Sequence, residues 1–183
     1  MLKEIFGHPL LKWAMISGLI TGVLSFGYFL ALYALDIMPL GNKRTPDFGI
    51  NIIMMIATVW YYRRRVGKGL LHLWEGLSIC YVLNTVAAII TGWLIYFFVE
   101  QIDPSVFTDY LAEIKNLILS RKGQITKEMG AAQYSRVLQD VNKIRPADLI
   151  TDEVSKKTVL AVLPVLIISL IFRKQDVSFQ KQD

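Results

Sequence analysis

The chain has 183 residues, of which 54% are hydrophobic and 19% charged, with a formal net charge of +5. So much apolar mass with so few charges is the profile of a membrane-embedded chain rather than of a soluble domain, and the length suits one domain. The positive balance does not point to nucleic acid: the densest basic run, Arg63-Arg64-Arg65 with Lys68, sits between two apolar blocks rather than on a basic face studded with aromatics.

The first apolar block runs from Trp13 to Leu35 without a charged side chain. About 20 residues cross a hydrocarbon core, so this block spans. Lys3 and Lys12 ahead of it resemble the basic region of a signal peptide. The block is longer than the 7–15 residues of a signal core, however, and Tyr33-Ala34-Leu35-Asp36 is a poor cleavage site, so an uncleaved helix is expected. Ala14, Gly18 and Gly22 form a small-residue ridge on it, and Ser17, Thr21 and Ser25 a polar stripe.

The second block, Phe48 to Tyr62, is short. Thr45 as N-cap, Pro46 at the first helical position and Asp47 in the first turn extend it at one end. At the other end Arg63–Arg65 run their stems along the helix and hold their charges among the headgroups, giving a span over 46–65. A re-entrant segment is the competing reading.

The third block, Gly76 to Val99, carries no charge, and Trp93, Tyr96, Phe97 and Phe98 gather at its far end as at a membrane interface. It bears the longest small or modestly polar ridge: Gly76, Cys80, Asn84, Ala88 and Gly92, each four residues apart. Such ridges let membrane helices approach closely. They serve either internal packing of a bundle or a seam with a second copy or another membrane subunit. Glu75, beside His72, sits at the mouth of this helix and reads as a capping or headgroup-level residue.

A polar stretch follows. Asp103-Pro104 opens a helical pattern through Phe107, Tyr110, Leu111, Ile114, Leu117 and Ile118, which Gly123 is expected to end. Thr126 is expected to cap a second pattern (Tyr134, Val137, Leu138, Val141, Ile144) that Pro146 limits. Two amphipathic helices, packed as a hairpin over about 104–146 or resting on the bilayer, are expected. The last block, Thr158 to Phe172, is extended by Thr151-Asp152-Glu153 as a cap and acidic first turn to a span over 154–172. Lys156 and Lys157 are expected to snorkel, Arg173-Lys174 close the block, and Pro164 should kink the helix.

The pattern predicts an all-α integral membrane protein in a single domain, 1–183, with four transmembrane helices over about 13–35, 46–65, 76–99 and 154–172. The N-terminus, residues 63–75 and the tail carry the basic excess, whereas the stretch from Glu100 to Lys157 holds nine basic and nine acidic residues. By the positive-inside rule both termini are cytoplasmic and the hairpin lies outside, with Arg63, Arg64, Arg65 and Lys68 as the topology signal.

Chemistry is harder to find. Cys80 is the one cysteine, so no internal disulfide forms. His8 and His72 belong to no metal-ligand cluster, and no GxSxG, HExxH, P-loop, GxGxxG or CxxC motif is present. No Asp, Glu, Lys or Arg is expected deep in any span. No catalytic residue, cofactor or metal is expected. The expected partners are membrane lipids and a second copy or another membrane-protein subunit, not nucleic acid.

Several segments carry a family resemblance: the Gly-rich Ile16-Ser17-Gly18-Leu19-Ile20-Thr21-Gly22, the basic cluster ending the second helix, Leu73-Trp74-Glu75-Gly76-Leu77, and the run Tyr96-Phe97-Phe98-Val99-Glu100-Gln101-Ile102-Asp103-Pro104. With them the chain resembles the bacterial membrane family known as domain of unknown function 4199, over nearly its whole length. Such families often carry Gln where this chain has Glu75. The resemblance implies a bacterial inner-membrane location and no reaction. The expected function is a non-enzymatic subunit or accessory protein of a membrane complex; the alternative is a small transporter or channel component.

Overall fold

The computed structural model describes residues 9–41 and 44–174. His8, and of the charge argument Lys3 and the tail beyond Lys174, lie outside the described residues. Those described are helical almost throughout. The elements are α1 (Pro9–Ala34), α2 (Asp47–Arg65), α3 (Leu73–Phe97, running into a π-helical turn at Phe98–Ile102), α4 (Ser105–Ser120), α5 (Lys122–Met129), α6 (Ala131–Val141) and α7 (Asp148–Phe172).

Among the described residues three helical stretches, Pro9–Ala34, Leu73–Ile102 and Asp148–Phe172, are long and apolar enough to cross a membrane. In α2, with 19 residues, Asp47, Asn51 and the three terminal arginines dilute the apolar content. The outward faces match a lipid setting: Leu163 and Ile171 of α7 are both 69% exposed and Ile53 of α2 is 66% exposed, an arrangement that costs free energy in water and none in hydrocarbon.

The central helix is α3, which packs along α1 on one side and α7 on the other, while α2 touches all three. The small residues explain the closeness. A Cβ added at Gly18 would stand 2.8 Å from the Leu83 carbonyl oxygen and from Val86 Cβ, and one at Gly22 2.8 Å from Ile90 Cβ. On the other flank, a Cβ at Gly76 would meet Ser169 at 3.2 Å and one at Gly92 would meet Ile150 Cα at 3.1 Å. The α1 ridge therefore lies on α3, and the α3 ridge lies on α7. All eight ridge residues are buried within this one chain.

The bundle has two unlike ends. At the arginine end, Met55, Val59, Ile79, Leu83, Ala161, Val165 and Ile168 form an apolar core. There Leu71 and Lys174 pair their backbones, and Arg63 donates from Nε to the Gly69 carbonyl at 3.2 Å. Glu75 Oε2 accepts the His72 N–H at 2.8 Å, a capping interaction at the start of α3. At the hairpin end a second core gathers Phe29, Ile95, Phe98, Val99, Val106, Phe107 and Leu149. Phe98 stacks edge-on against Phe29 with ring centroids 5.2 Å apart.

Several local expectations are corrected. The polar stretch holds three helices, not two. Gly123 lies inside α5, because glycine is tolerated within a helix. The breaks fall at Arg121, just past the end of α4, and at Gly130, whose φ of +84° is a conformation that glycine adopts readily. Thr126 is likewise inside α5 and caps nothing. The last helix starts at Asp148, a turn before Thr151, and continues through Pro164.

Candidate functional site: a buried ionic cluster beside a cavity

The first helical turn of α2 and the middle of α7 bring together charges that the sequence reading placed at the surface. Asp47 is 3% exposed, Glu153 8% and Lys157 4%. Lys157 Nζ lies 3.2 Å from Asp47 Oδ2 and 3.0 Å from Glu153 Oε1, and donates to Ser25 Oγ and Thr91 Oγ1, each at 3.4 Å. Arg44, in the segment before α2, holds Glu153 with both terminal nitrogens at 2.9 Å and Asp47 Oδ2 at 3.0 Å. Two cations thus grip two carboxylates, and the bidentate Arg44–Glu153 geometry is the strong form of such a pair.

Buried charges thus stand inside the bundle, and the expectation that Lys157 snorkels is overturned: its side chain is enclosed among its ion-pair partners. Counting back from Phe172 at about 1.5 Å per residue, Lys157 lies about 22 Å along α7. Its carbonyl accepts from Asn84 Nδ2 at 3.3 Å, which sets it level with the middle of α3. The side chain does not reach for a water surface because its ammonium is already satisfied by four oxygens. Lys156, on the exposed side of α7, does face outward and pairs with Asp152 at 2.6 Å.

A polar ladder descends from the cluster. Asn51, one turn below Asp47, donates from Nδ2 to Asn84 Oδ1 at 2.8 Å. Of the α1 stripe, Ser25 joins the cluster, whereas Thr21 bonds back to the Ser17 carbonyl at 2.7 Å. Thr91 Oγ1 donates to the Ala87 carbonyl at 2.7 Å, with Gly22's carbonyl at 3.3 Å. Below Asn84 the ladder stops at the apolar core of the arginine end.

The cluster borders a cavity of about 720 Å3. Its polar wall contains Arg44, Asp47, Glu113, Asp152, Glu153, Lys156 and Lys157, and its apolar wall includes Leu40, Phe48, Ile114 and Leu160. Two buried polar atoms of the cluster have no partner: Asp47 Oδ1 and Arg44 Nε; Asn51 Oδ1 below them is a third. In the hairpin above, Tyr110 has its hydroxyl pKa raised, chiefly by burial. Among the described residues no group of three or more His, Cys, Asp or Glu could hold a metal ion.

The sequence-derived residues thus divide. Gly18 and Gly22 line the α1–α3 contact, Gly76 and Gly92 the α3–α7 contact, and of the ridges only Asn84 joins the polar ladder. Arg63 is half-buried, and Arg64, Arg65 and Lys68 are exposed at the far end from the cluster, with Arg64 over the Trp60 ring at 4.6 Å. The residues missed were Arg44, Asp47, Glu153 and Lys157. A usable signal was present: the inward face of α7 repeats every four residues as Leu149, Glu153, Lys157, Ala161, Val165 and Ser169, so two charges stand on the stripe that must pack.

No curated protein and no solved structure is significantly similar to the chain. A family model does match, over residues 13–174, and on that match the chain belongs to the family described as protein of unknown function DUF4199.

Proposed function

We propose that this chain is a non-enzymatic membrane protein that takes a small molecule into the hairpin-end cavity, as a transporter or as the ligand-binding component of one. The observation that carries this reading is the ion-paired quartet of buried Asp47, Glu153 and Lys157 with partly buried Arg44 on the wall of an open cavity. Burying such pairs costs several kcal/mol of desolvation per ion, and apolar replacements are often as stable or more so. Ionisable residues within membrane helices accordingly mark substrate or ion paths.

In this reading α2 is the fourth span: at about 1.5 Å per residue its 19 residues reach about 28 Å. The arginine end is cytoplasmic, the hairpin of α4 to α6 lies outside, and the membrane is a bacterial inner membrane. A cysteine at Ser135 in a Cys80→Ser background should react with an impermeant thiol reagent from outside, and one at Arg65 should not. The reverse pattern would overturn the orientation.

The functional test uses full-length protein extracted directly into lipid nanodiscs. Native mass spectrometry should find a small molecule bound to the wild type and missing from Leu160→Trp, which fills the cavity from its exposed apolar wall. Identical spectra without adduct would sink the proposal. An accessory-subunit role is the second reading. It is favoured by Leu117 and Leu119 of α4, which stay about half exposed although the hairpin helices pack on one another; in that case a partner protein, not a small molecule, should co-purify.

A further inference from the structure

Resting on the proposed binding role of the cavity, we infer that its ligand is a zwitterionic amphiphile: an acyl chain joined to a head that carries both a primary ammonium and an oxyanion. Three observations converge. The wall is divided, with Phe48, Ile114 and Leu160 supplying an apolar surface suited to a chain, and charged groups supplying the rest. Among the described residues the charged part has both signs: three cations (Arg44, Lys156, Lys157) and four carboxylates (Asp47, Glu113, Asp152, Glu153). Finally, the unmatched hydrogen-bonding capacity is of both kinds. Asp47 Oδ1 is a buried acceptor without a partner on a side chain 5% exposed, and Arg44 Nε is a buried donor without one.

A purely anionic head would satisfy Arg44 Nε and meet Asp47 and Glu113 as like charges. A purely cationic head would do the reverse. Glu113 makes no hydrogen bond or ion pair with another described residue, so it is available at the mouth to receive an ammonium. A head with both groups matches both deficits and leaves the Arg44–Glu153 and Lys157–Asp47 pairs intact. Its ammonium must carry N–H donors, because the groups it answers are carboxylate oxygens. Two sources share this chemistry, an aminophospholipid of the surrounding bilayer and a free single-chain amphiphile.

The test measures binding of three lysophospholipids with one common acyl chain to the wild-type protein in phosphatidylcholine nanodiscs, after subtraction of empty discs. The heads are ethanolamine, choline and glycerol. Lysophosphatidylethanolamine should bind at least tenfold tighter than the choline form, which lacks N–H donors, and than the glycerol form, which is anionic. Glu113→Gln, at an exposed position, should cut that preference to below threefold, and Leu160→Trp should abolish binding. Doping the discs with phosphatidylethanolamine assigns the source: suppression of binding points to the bilayer lipid, and undiminished binding to the free amphiphile. Equal affinity for the three heads, or preference for the glycerol head, would overturn the inferred class while leaving the cavity a binding site. Binding that Leu160→Trp does not change would remove the site itself.

Discussion

The two halves of the bundle are built from the same four helices on opposite plans. Toward the arginine end α2, α3 and α7 meet through Met55, Val59, Leu83 and Val165, side chains whose burial needs no partner. Toward the hairpin end the same helices meet through Asp47, Asn84, Glu153 and Lys157, each of which needs specific partners once buried. Apolar contact tolerates sliding, whereas a charged quartet fixes register and punishes the loss of any member. The halves should therefore respond differently to substitution.

The largest effect is expected at Lys157. Lys157→Met leaves two carboxylates facing one guanidinium, and breaking a buried pair from one side costs about 3–5 kcal/mol. Adding Asp47→Asn removes the surplus negative charge and should recover a large part of the loss. Thermal unfolding in one detergent checks both. A double variant no more stable than Lys157→Met would mean that charge balance is not what holds this half together.

Next come the small-residue contacts, which the two halves share. Gly92→Leu must displace the Ile150 backbone and should cost about 1–3 kcal/mol. Because this ridge faces α7 of its own chain, the particle should lose stability without changing size; a smaller but equally stable particle would instead indicate a seam between copies. Gly22→Ala would put a methyl 2.8 Å from Ile90 Cβ and should destabilise, whereas Gly27, with nothing within 4 Å, should gain about 0.5–1 kcal/mol on change to Ala. Equal effects at the two glycines would refute the close α1–α3 approach.

Asn84 stands where the two plans meet, and its replacement should be milder. Hydrogen bonds between membrane helices average about 0.6 kcal/mol, so Asn84→Leu should lose little beyond the cost of leaving Asn51 unmatched. A loss as large as that at Lys157 would show that the ladder and the quartet act as one network.

What the sequence made legible followed from one-dimensional signals. Long uncharged runs gave α1 and α3, and spacing by four gave the ridges that α1 and α3 bury. The ends of α2 and α7 misled because a macrodipole argument accounts without burial for Asp47, an acid in a first helical turn, and for Glu153, which reads as one until the helix is seen to begin at Asp148. Lys157 close to a span boundary likewise reads as a snorkelling residue. Their inward direction depends on the helix face, which the periodic stripe on α7 carried. It also depends on Arg44, whose pairing with Glu153 joins positions far apart in the chain. The hairpin breaks at Arg121 and Gly130 rather than at Gly123 for a similar reason: composition marks both glycines, and only the backbone angle that the turn at Gly130 demands separates them.

The smallest effect is expected at the exposed rim of the hairpin end, where charge is solvated. Asp103 Oδ1 accepts the Ser105 N–H at 3.0 Å and its hydroxyl at 2.6 Å, and Oδ2 accepts the Tyr33 hydroxyl at 2.8 Å. These bonds, Ser105's first, hold the Asp103 carboxyl below the usual carboxylate range. A carboxyl with a lowered folded-state pKa contributes stability above its unfolded value of about 3.9, and that contribution fades as pH falls through the folded value. Tyr33→Phe should therefore lower the melting temperature slightly at pH 7, and the difference from wild type should shrink below about pH 4, as Asp103 takes up its proton. If instead the Tyr33→Phe deficit at pH 7 rivals that of Lys157→Met, the contrast between a solvated rim and a costly ion-paired quartet fails at its rim.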